Sequence, residues 1–123
     1  MLRESKGFST FAVPDVGAAR AFYADTLGLS VRDEMDGLVL ELAGGTSVFV
    51  YPKEDHEPAV FTILNFPVAD VEAAVDRLAA AGIRFERYDG FDQDEKGIAR
   101  GDGPAIAWFK DPAGNILSVL EEG

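Results

Sequence analysis

The chain lacks several features that would point to particular kinds of chemistry. It contains no cysteine, which excludes disulfides, thiolate metal sites and a cysteine nucleophile. His56 is its only histidine, so a metal site of two histidines and one carboxylate is excluded. No apolar run approaches ~20 residues, and the first residues lack the apolar segment of a signal peptide. Together these features predict a cytoplasmic protein.

Basic residues are also scarce, with 11 Lys and Arg against 22 Asp and Glu and a formal net charge of −11. Such a charge repels phosphate backbones and anionic lipids, so neither nucleic acid nor a membrane is an expected partner. The excess acid serves solubility or attracts a cationic small molecule, and composition leaves both open. At 123 residues, 47% of them hydrophobic, the chain has the size and composition of one globular domain.

What the chain does contain is one module written twice. The residues Asp15, Val16, Ala18 and Ala19 recur as Asp70, Val71, Ala73 and Ala74, at an offset of 55, and Gly28 recurs as Gly82, at an offset of 54. Two copies of a small unit that cannot bury its apolar face alone are expected to pack together. The space between them is where we expect a ligand to bind.

Each copy is predicted to run strand, helix, then three strands. Asp15 and Asp70 are expected to cap the two helices, and Gly28 and Gly82 to end them in a left-handed conformation. The predicted strands cover 8–13, 30–33, 38–42 and 47–51 in the first copy and 84–88, 105–110 and 116–120 in the second. One domain, 1–123, then consists of module one (about 7–51), a linker (52–58) and module two (about 59–122).

Two motifs, together with this order of elements, resemble those of a known family. The phrase Phe22-Tyr23-x-x-x-Leu27-Gly28-Leu29 follows a capped helix, and Asp111-Pro-x-Gly-Asn115 is typical of a type I hairpin turn. The chain resembles the vicinal oxygen chelate superfamily, which includes glyoxalase I, extradiol dioxygenases and bleomycin resistance proteins. The resemblance implies an α+β fold: two βαβββ modules in tandem that form a curved, cup-shaped mixed sheet with the helices outside.

The resemblance also implies where metal ligands stand in the metal enzymes of the superfamily. Carried onto this sequence, the four ligand positions are Phe8, Phe49, Ile63 and Ser118. Two phenyl rings, an alkyl group and a neutral hydroxyl do not make a divalent-metal site. We therefore predict a protein without a metal or other cofactor.

Alternation along the strands predicts which residues line the cup. The predicted ligand-binding residues are Phe8, Thr10, Phe49, Tyr51, Ile63, Asn65, Trp108 and Ser118. This wall predicts a metal-free small-molecule-binding protein of the glyoxalase/bleomycin resistance type that holds a cationic or aromatic organic ligand. The predicted assembly is a homodimer. The alternative is a lyase, isomerase or other enzyme of the same superfamily that uses a different site. No catalytic residue is assigned, and a collapsed core without a cavity is a further alternative.

Three further features leave alternatives open. Glu41 interrupts an apolar strand, and its alternation does not decide whether it faces the cup or solvent. Trp108 either stacks on a ligand ring or belongs to the core. The acidic, glycine-rich segment 89–104 is either a flap over the cup, closed by Phe91 or Ile98, or a disordered connector. As a flap, it would present the acids Asp92, Asp94 and Glu95 to a cationic ligand.

Overall fold

The fold is mixed α+β with two separate sheets. The computed structural model describes residues 1–122. The chain divides between His56 and Glu57 into two compact units, and this boundary lies inside the predicted linker 52–58. We call the unit Met1–His56 module one and the residues from Glu57 onward module two.

Module one has the predicted βαβββ order. Its strands are β1 (Ser9–Val13), β2 (Ser30–Glu34), β3 (Gly37–Glu41) and β4 (Ser47–Pro52), arranged in the sheet as β1-β4-β3-β2. β1 runs parallel to β4, and the other neighbours are antiparallel. Helix α1 (Val16–Arg20) continues directly into a π-helical segment, Ala21–Thr26. A short 3-10 turn, Ala43–Gly45, joins β3 to β4.

The sheet of module one has one buried and one open face, as the alternation predicts. Leu38, Leu40, Val48 and Val50 are at most 5% exposed and share the face that α1 packs against, since α1 contacts β3 and β4. The residues that alternate with them in β3 and β4 point to the other face, and no helix of module one packs on that face. This second face is only partly open, since Val39 on it is 7% exposed and Phe49 is half-buried.

Module two repeats the design with one strand fewer than predicted. It contains β5 (Thr62–Val68), α2 (Val71–Ala80), β6 (Ile106–Lys110) and β7 (Ile116–Glu121), with β7 between β5 and β6. The prediction of a strand over 84–88 is wrong, because only Phe85 pairs with a strand, as an isolated bridge to Phe109. The side chain of Gln93 instead forms hydrogen bonds with backbone groups of this segment. Its Oε1 accepts from the Tyr88 N–H at 2.8 Å and its Nε2 donates to the Glu86 carbonyl at 2.9 Å.

The predicted helix caps are confirmed in both modules. The carboxylate of Asp15 accepts from the N–H of Ala18 at 3.0 Å, and that of Asp70 accepts from the N–H of Ala73 at 3.1 Å. Gly28 and Gly82 have φ angles of 74° and 97°, a left-handed conformation that costs glycine little. The two helices therefore begin with the same capping hydrogen bond, and each is followed by a glycine in the left-handed conformation.

The predicted hairpin between β6 and β7 is confirmed as well. Asp111 Oδ1 accepts from the N–H groups of Ala113 and Asn115, both at 2.9 Å. The N–H of Gly114 donates to the Asp111 carbonyl at 3.0 Å, and Gly114 has a φ of 86°. The side chain of one aspartate thus holds the whole turn, and Asp111 and Asn115 are buried in it.

The segment 89–104 is folded onto module two and is not a disordered connector. Ala99 pairs with Ile106 through two backbone hydrogen bonds of 2.8 and 3.1 Å, so the segment extends the edge of the sheet beyond β6. Ile98 is 1% exposed. Lys96 Nζ lies 3.0 Å from carboxylate oxygens of both Glu72 and Asp76 on α2. The segment is therefore anchored to both layers of its own module.

Candidate functional site

A row of four side chains crosses the open face of the module one sheet, one from each strand. Thr10 on β1 is the partner of Phe49 on β4, Phe49 is the partner of Val39 on β3, and Val39 is the partner of Arg32 on β2. Cross-strand partners point to the same face of a sheet. The sequence prediction that Thr10 and Phe49 share a face is confirmed, whereas Arg32 was not among the predicted site residues.

Three members of this row, Phe49, Val39 and Arg32, line a groove of about 380 Å³ that is formed within module one, and Thr10 does not line it. The volume is within the range of small-molecule sites, roughly 300–1,000 Å³. Its apolar wall consists of Phe8, Met35, Val39 and Phe49, and its polar groups come from Ser47, Arg32 and Glu34. Two of the predicted residues, Phe8 and Phe49, therefore lie together in a groove of suitable size.

Aromatic surface is unusually accessible on this face. The Phe8 side chain is 66% exposed and Tyr51 is 37% exposed. Phe49 and Tyr51 lie two positions apart on β4 and stack nearly parallel, with 6.5 Å between ring centroids and 15° between planes. Exposed apolar side chains that occur together, and not singly, mark binding sites on soluble proteins.

The end of the groove at β2 is charged. Arg32 Nε donates to Glu41 Oε1 at 2.7 Å, and its Nη1 donates to Glu34 Oε2. The hydrogen bonds to Glu41 and then to Glu34 raise the pKa of the Arg32 guanidinium above its usual value. Glu41 is the partner of Ser47 across β3 and β4, which places it on the face of Phe49. The alternation of Ser30, Arg32 and Glu34 along β2 is the signal that could have identified Arg32.

The predicted residues of module two form a second row. Asn65 on β5 is the partner of Ser118 on β7, and Ser118 is the partner of Trp108 on β6. Ser118 Oγ donates to Asn65 Oδ1 at 2.5 Å. Ser118 has no exposed surface, whereas Asn65 is exposed. Ile63 lies at an irregularity of β5, between the registered pairs of Thr62 and Leu64.

Trp108 is 8% exposed, because aromatic rings of the preceding chain segment cover it. Its ring centroid lies 4.9 Å from that of Phe91 and 5.5 Å from that of Tyr88. Burial, with a further contribution from Glu86, raises the pKa of the Tyr88 hydroxyl. Trp108 therefore packs in the core of module two, the alternative that the sequence left open, and Phe91 closes over Trp108.

The acidic side chains of segment 89–104 are not all free to bind a ligand. Asp94 Oδ1 accepts from the N–H groups of Lys96 and Ile98, at 2.9 and 3.0 Å, and Oδ2 accepts from Arg100. Partial burial raises the pKa of the Asp94 carboxyl, but these hydrogen bonds outweigh it and hold the pKa below its usual value. Asp94 therefore organises its own loop and is already neutralised by Arg100, which removes it from the acids available to a cationic ligand.

Of the four inferred metal positions, Phe8 and Phe49 lie in module one, and Ile63 and Ser118 lie in module two. Within residues 1–122, no three His, Asp or Glu side chains are grouped closely enough to hold a metal ion. Whether the protein carries a metal stays a prediction, to be decided by elemental analysis. Nor is any helix in this part of the chain long and apolar enough to cross a membrane.

The sequence profile of the Glyoxalase/Bleomycin resistance protein/Dioxygenase superfamily matches residues 8–119. The chain belongs to this superfamily. The match extends over both modules, from Phe8 at the groove to Val119 on β7, and agrees with the resemblance found in the sequence. No functionally curated protein matches the chain significantly.

Several solved structures share the fold. A glyoxalase family protein from Enterococcus faecalis is 21% identical, with a TM-score of 0.72, 98% of this chain and 100% of that chain covered. TnmS3, described as an antibiotic binding protein from Streptomyces sp. CB03234, is 22% identical, with a TM-score of 0.68 and 98% of each chain covered. Lactoylglutathione lyase from Agrobacterium tumefaciens is 21% identical, with a TM-score of 0.66, 95% of this chain and 93% of that chain covered. At these identities the likeness is one of fold, and binders and enzymes share it.

Proposed function

We propose that this superfamily member is a metal-free binding protein that holds a small organic ligand in the module one groove. The observation that carries the proposal is the groove itself, in which the exposed ring of Phe8 and the half-buried ring of Phe49 lie beside Val39. Aromatic side chains exposed at the mouth of a groove cost a protein solubility and favour aggregation. A ligand that covers them removes that disadvantage.

The apolar wall is large enough to bind without any covalent or metal bond. A ligand that buries ~200 Å² of apolar surface gains about 5 kcal/mol at ~25 cal/mol per Å², before the costs of association. Ser47 and Arg32 add hydrogen-bonding groups at the edges of the groove. A few polar groups around an apolar wall are typical of small-molecule sites. The description of the similarly folded TnmS3 as an antibiotic binding protein adds support for a binder.

The alternative is an enzyme of the same superfamily that uses an acid or base of its own. Glu41 is the carboxylate on the groove face that could act as a base, and Arg32 is hydrogen-bonded to it at 2.7 Å. Tyr23 and Tyr51 are the other candidate acids or bases, and Tyr23 is 0% exposed. The hydrogen bond from Arg32 occupies Oε1 of Glu41, and the burial of Tyr23 keeps its hydroxyl from a ligand in the groove. We therefore favour binding over catalysis.

Titration of isotope-labelled protein with 2-naphthamide, followed by NMR, tests the proposed function. We expect the largest chemical-shift changes at Phe8, Val39 and Phe49 and none at the exposed Val60 and Phe61. Changes confined to residues outside the groove, or none at all, would contradict the proposal. The remaining ligand-binding residues of module two, the homodimer and the cytoplasmic location are proposals to be tested separately.

A further inference from the structure

The charged end of the groove holds one cation between two anions. Arg32 uses Nε for Glu41 and Nη1 for Glu34, and its Nη2 has no partner within residues 1–122. One oxygen of each carboxylate accepts from Arg32, Oε1 of Glu41 and Oε2 of Glu34. The other oxygen of each carboxylate accepts no hydrogen bond from the described part of the chain. A hydrogen-bond donor and two acceptors therefore stand next to one another on the same surface.

The position of this triad relative to the aromatic wall determines the size of ligand that can reach it. Phe49, Val39 and Arg32 are successive cross-strand partners. Neighbouring strands are about 4.8 Å apart, so Arg32 lies roughly 10 Å from Phe49 along the row. A bicyclic aromatic ring that rests on Phe49 and Val39 thus places a substituent on its far edge against Arg32.

The charges of the triad determine which substituent is best tolerated there. Arg32 contributes one positive charge and the two glutamates contribute two negative charges, which leaves a local charge of −1. A carboxylate is repelled by this net charge, whereas an ammonium is attracted by it but has only donors, so it leaves Arg32 Nη2 without an acceptor. A neutral amide avoids both costs, because its carbonyl accepts from Nη2 while its N–H donates to a free glutamate oxygen.

We propose that Arg32, Glu34 and Glu41 select an aromatic ligand whose edge carries a neutral, adjacent acceptor and donor, such as a carboxamide or lactam. This inference rests on the proposed function, because it assigns the ligand class of the same groove. Arg32 is the specificity-determining residue, since it supplies the donor and holds both carboxylates in position.

Three probes with the same ring separate the inference from its alternatives. They are 2-naphthamide, 2-naphthoate and 2-naphthylmethylammonium, titrated at pH 7 by calorimetry. We expect the amide to bind about fivefold more tightly than either ion, since partly exposed charge-assisted hydrogen bonds contribute modestly. Equal affinity for the three probes would overturn the inference and leave the proposed function intact. Binding of none of them would overturn both.

Charge-altering variants give a second, independent readout. Arg32→Met leaves two unpaired carboxylates, so the preferred probe is expected to become the ammonium. The double variant Glu34→Gln with Glu41→Gln leaves Arg32 alone, so the preferred probe is expected to become the carboxylate. Arg20→Met is the matched control, because Arg20 pairs with Asp33 at another exposed site of the same module, and it should keep the wild-type order. An unchanged probe order in Arg32→Met would overturn the inference.

Discussion

The N–H of Leu29 donates to the carbonyl of Tyr23, six residues earlier, at 2.9 Å. In module two the N–H of Ile83 donates to the carbonyl of Leu78, five residues earlier, at 3.0 Å. Tyr23 and Leu78 correspond at the repeat offset of 55, whereas Gly28 and Gly82 correspond at 54. Module one therefore contains one extra residue between these points, and the π-helical segment Ala21–Thr26 accommodates it.

This comparison predicts that module one tolerates loss of one residue at the end of its helix. Deletion of the exposed Asp25 is expected to convert the π-helical turn to the geometry of α2 and to change stability by less than about 1 kcal/mol. Helix α2 has no extra residue, so deletion of its exposed Ala80 should lower the free energy of unfolding by more than about 2 kcal/mol. Urea unfolding of both variants measures the difference. Equal losses of stability would show that the extra residue is needed.

The aromatic wall predicts the effect of truncating Phe49. Phe49→Ala is expected to weaken binding of 2-naphthamide about tenfold, equivalent to ~1.4 kcal/mol, because the ring supplies part of the apolar contact area. Phe61→Ala is the matched control, since Phe61 is 67% exposed and lies outside the groove. Calorimetric affinities that fall equally in both variants, or in neither, would contradict the assignment of the groove.

Asp94 predicts a stability effect in segment 89–104. Asp94→Ala is expected to destabilise the protein by about 1–2 kcal/mol at pH 7, because the N–H groups of Lys96 and Ile98 lose their acceptor. The nearby Asp92→Ala should stay within about 0.5 kcal/mol of the wild type, because Asp92 is exposed. Chemical unfolding checks both values, and similar values for the two variants would count against this role of Asp94.

The pH dependence of the Asp94 contribution has a definite sign. Its pKa in the folded protein is lowered from the usual 3.8, so the folded state favours the charged carboxylate. The resulting stability is fully present above the pKa of the unfolded chain and is lost as pH falls below 3.8 through the folded pKa. The difference in stability between wild type and Asp94→Asn should therefore shrink in that acid range. A difference that grows with acidity would contradict the assignment.

The residues at the inferred metal positions predict independence from metal. Purified protein is expected to contain no stoichiometric Zn, Ni, Fe or Mn, because Phe8, Phe49 and Ile63 offer no lone pair to a cation. Incubation with a chelator should leave the melting temperature and 2-naphthamide affinity unchanged. Elemental analysis that finds about one metal ion per chain after dialysis would contradict this prediction.

Local sequence determined the parts of this fold that depend on neighbouring residues. Asp15 and Asp70 cap their helices through N–H groups three residues away, and Asp111 holds a turn of five residues. Alternation likewise placed Thr10 and Phe49 on one face. The caps and the turn join close neighbours in the chain, and alternation is a property of each strand by itself, so residue type and spacing suffice to predict these features.

Tertiary structure decided what depends on pairing between distant segments. A strand over 84–88 did not form, because the Gln93 side chain forms hydrogen bonds with the backbone of Tyr88 and Glu86. The ring of Phe91 packs against Trp108 in the same region. Glu41 acquired a defined role only when β2 paired with β3 and brought Arg32 within 2.7 Å. Residue type gives a side chain its chemistry, but the register of the sheet decides which other charge it meets, and that register is set by cooperative packing over the whole module.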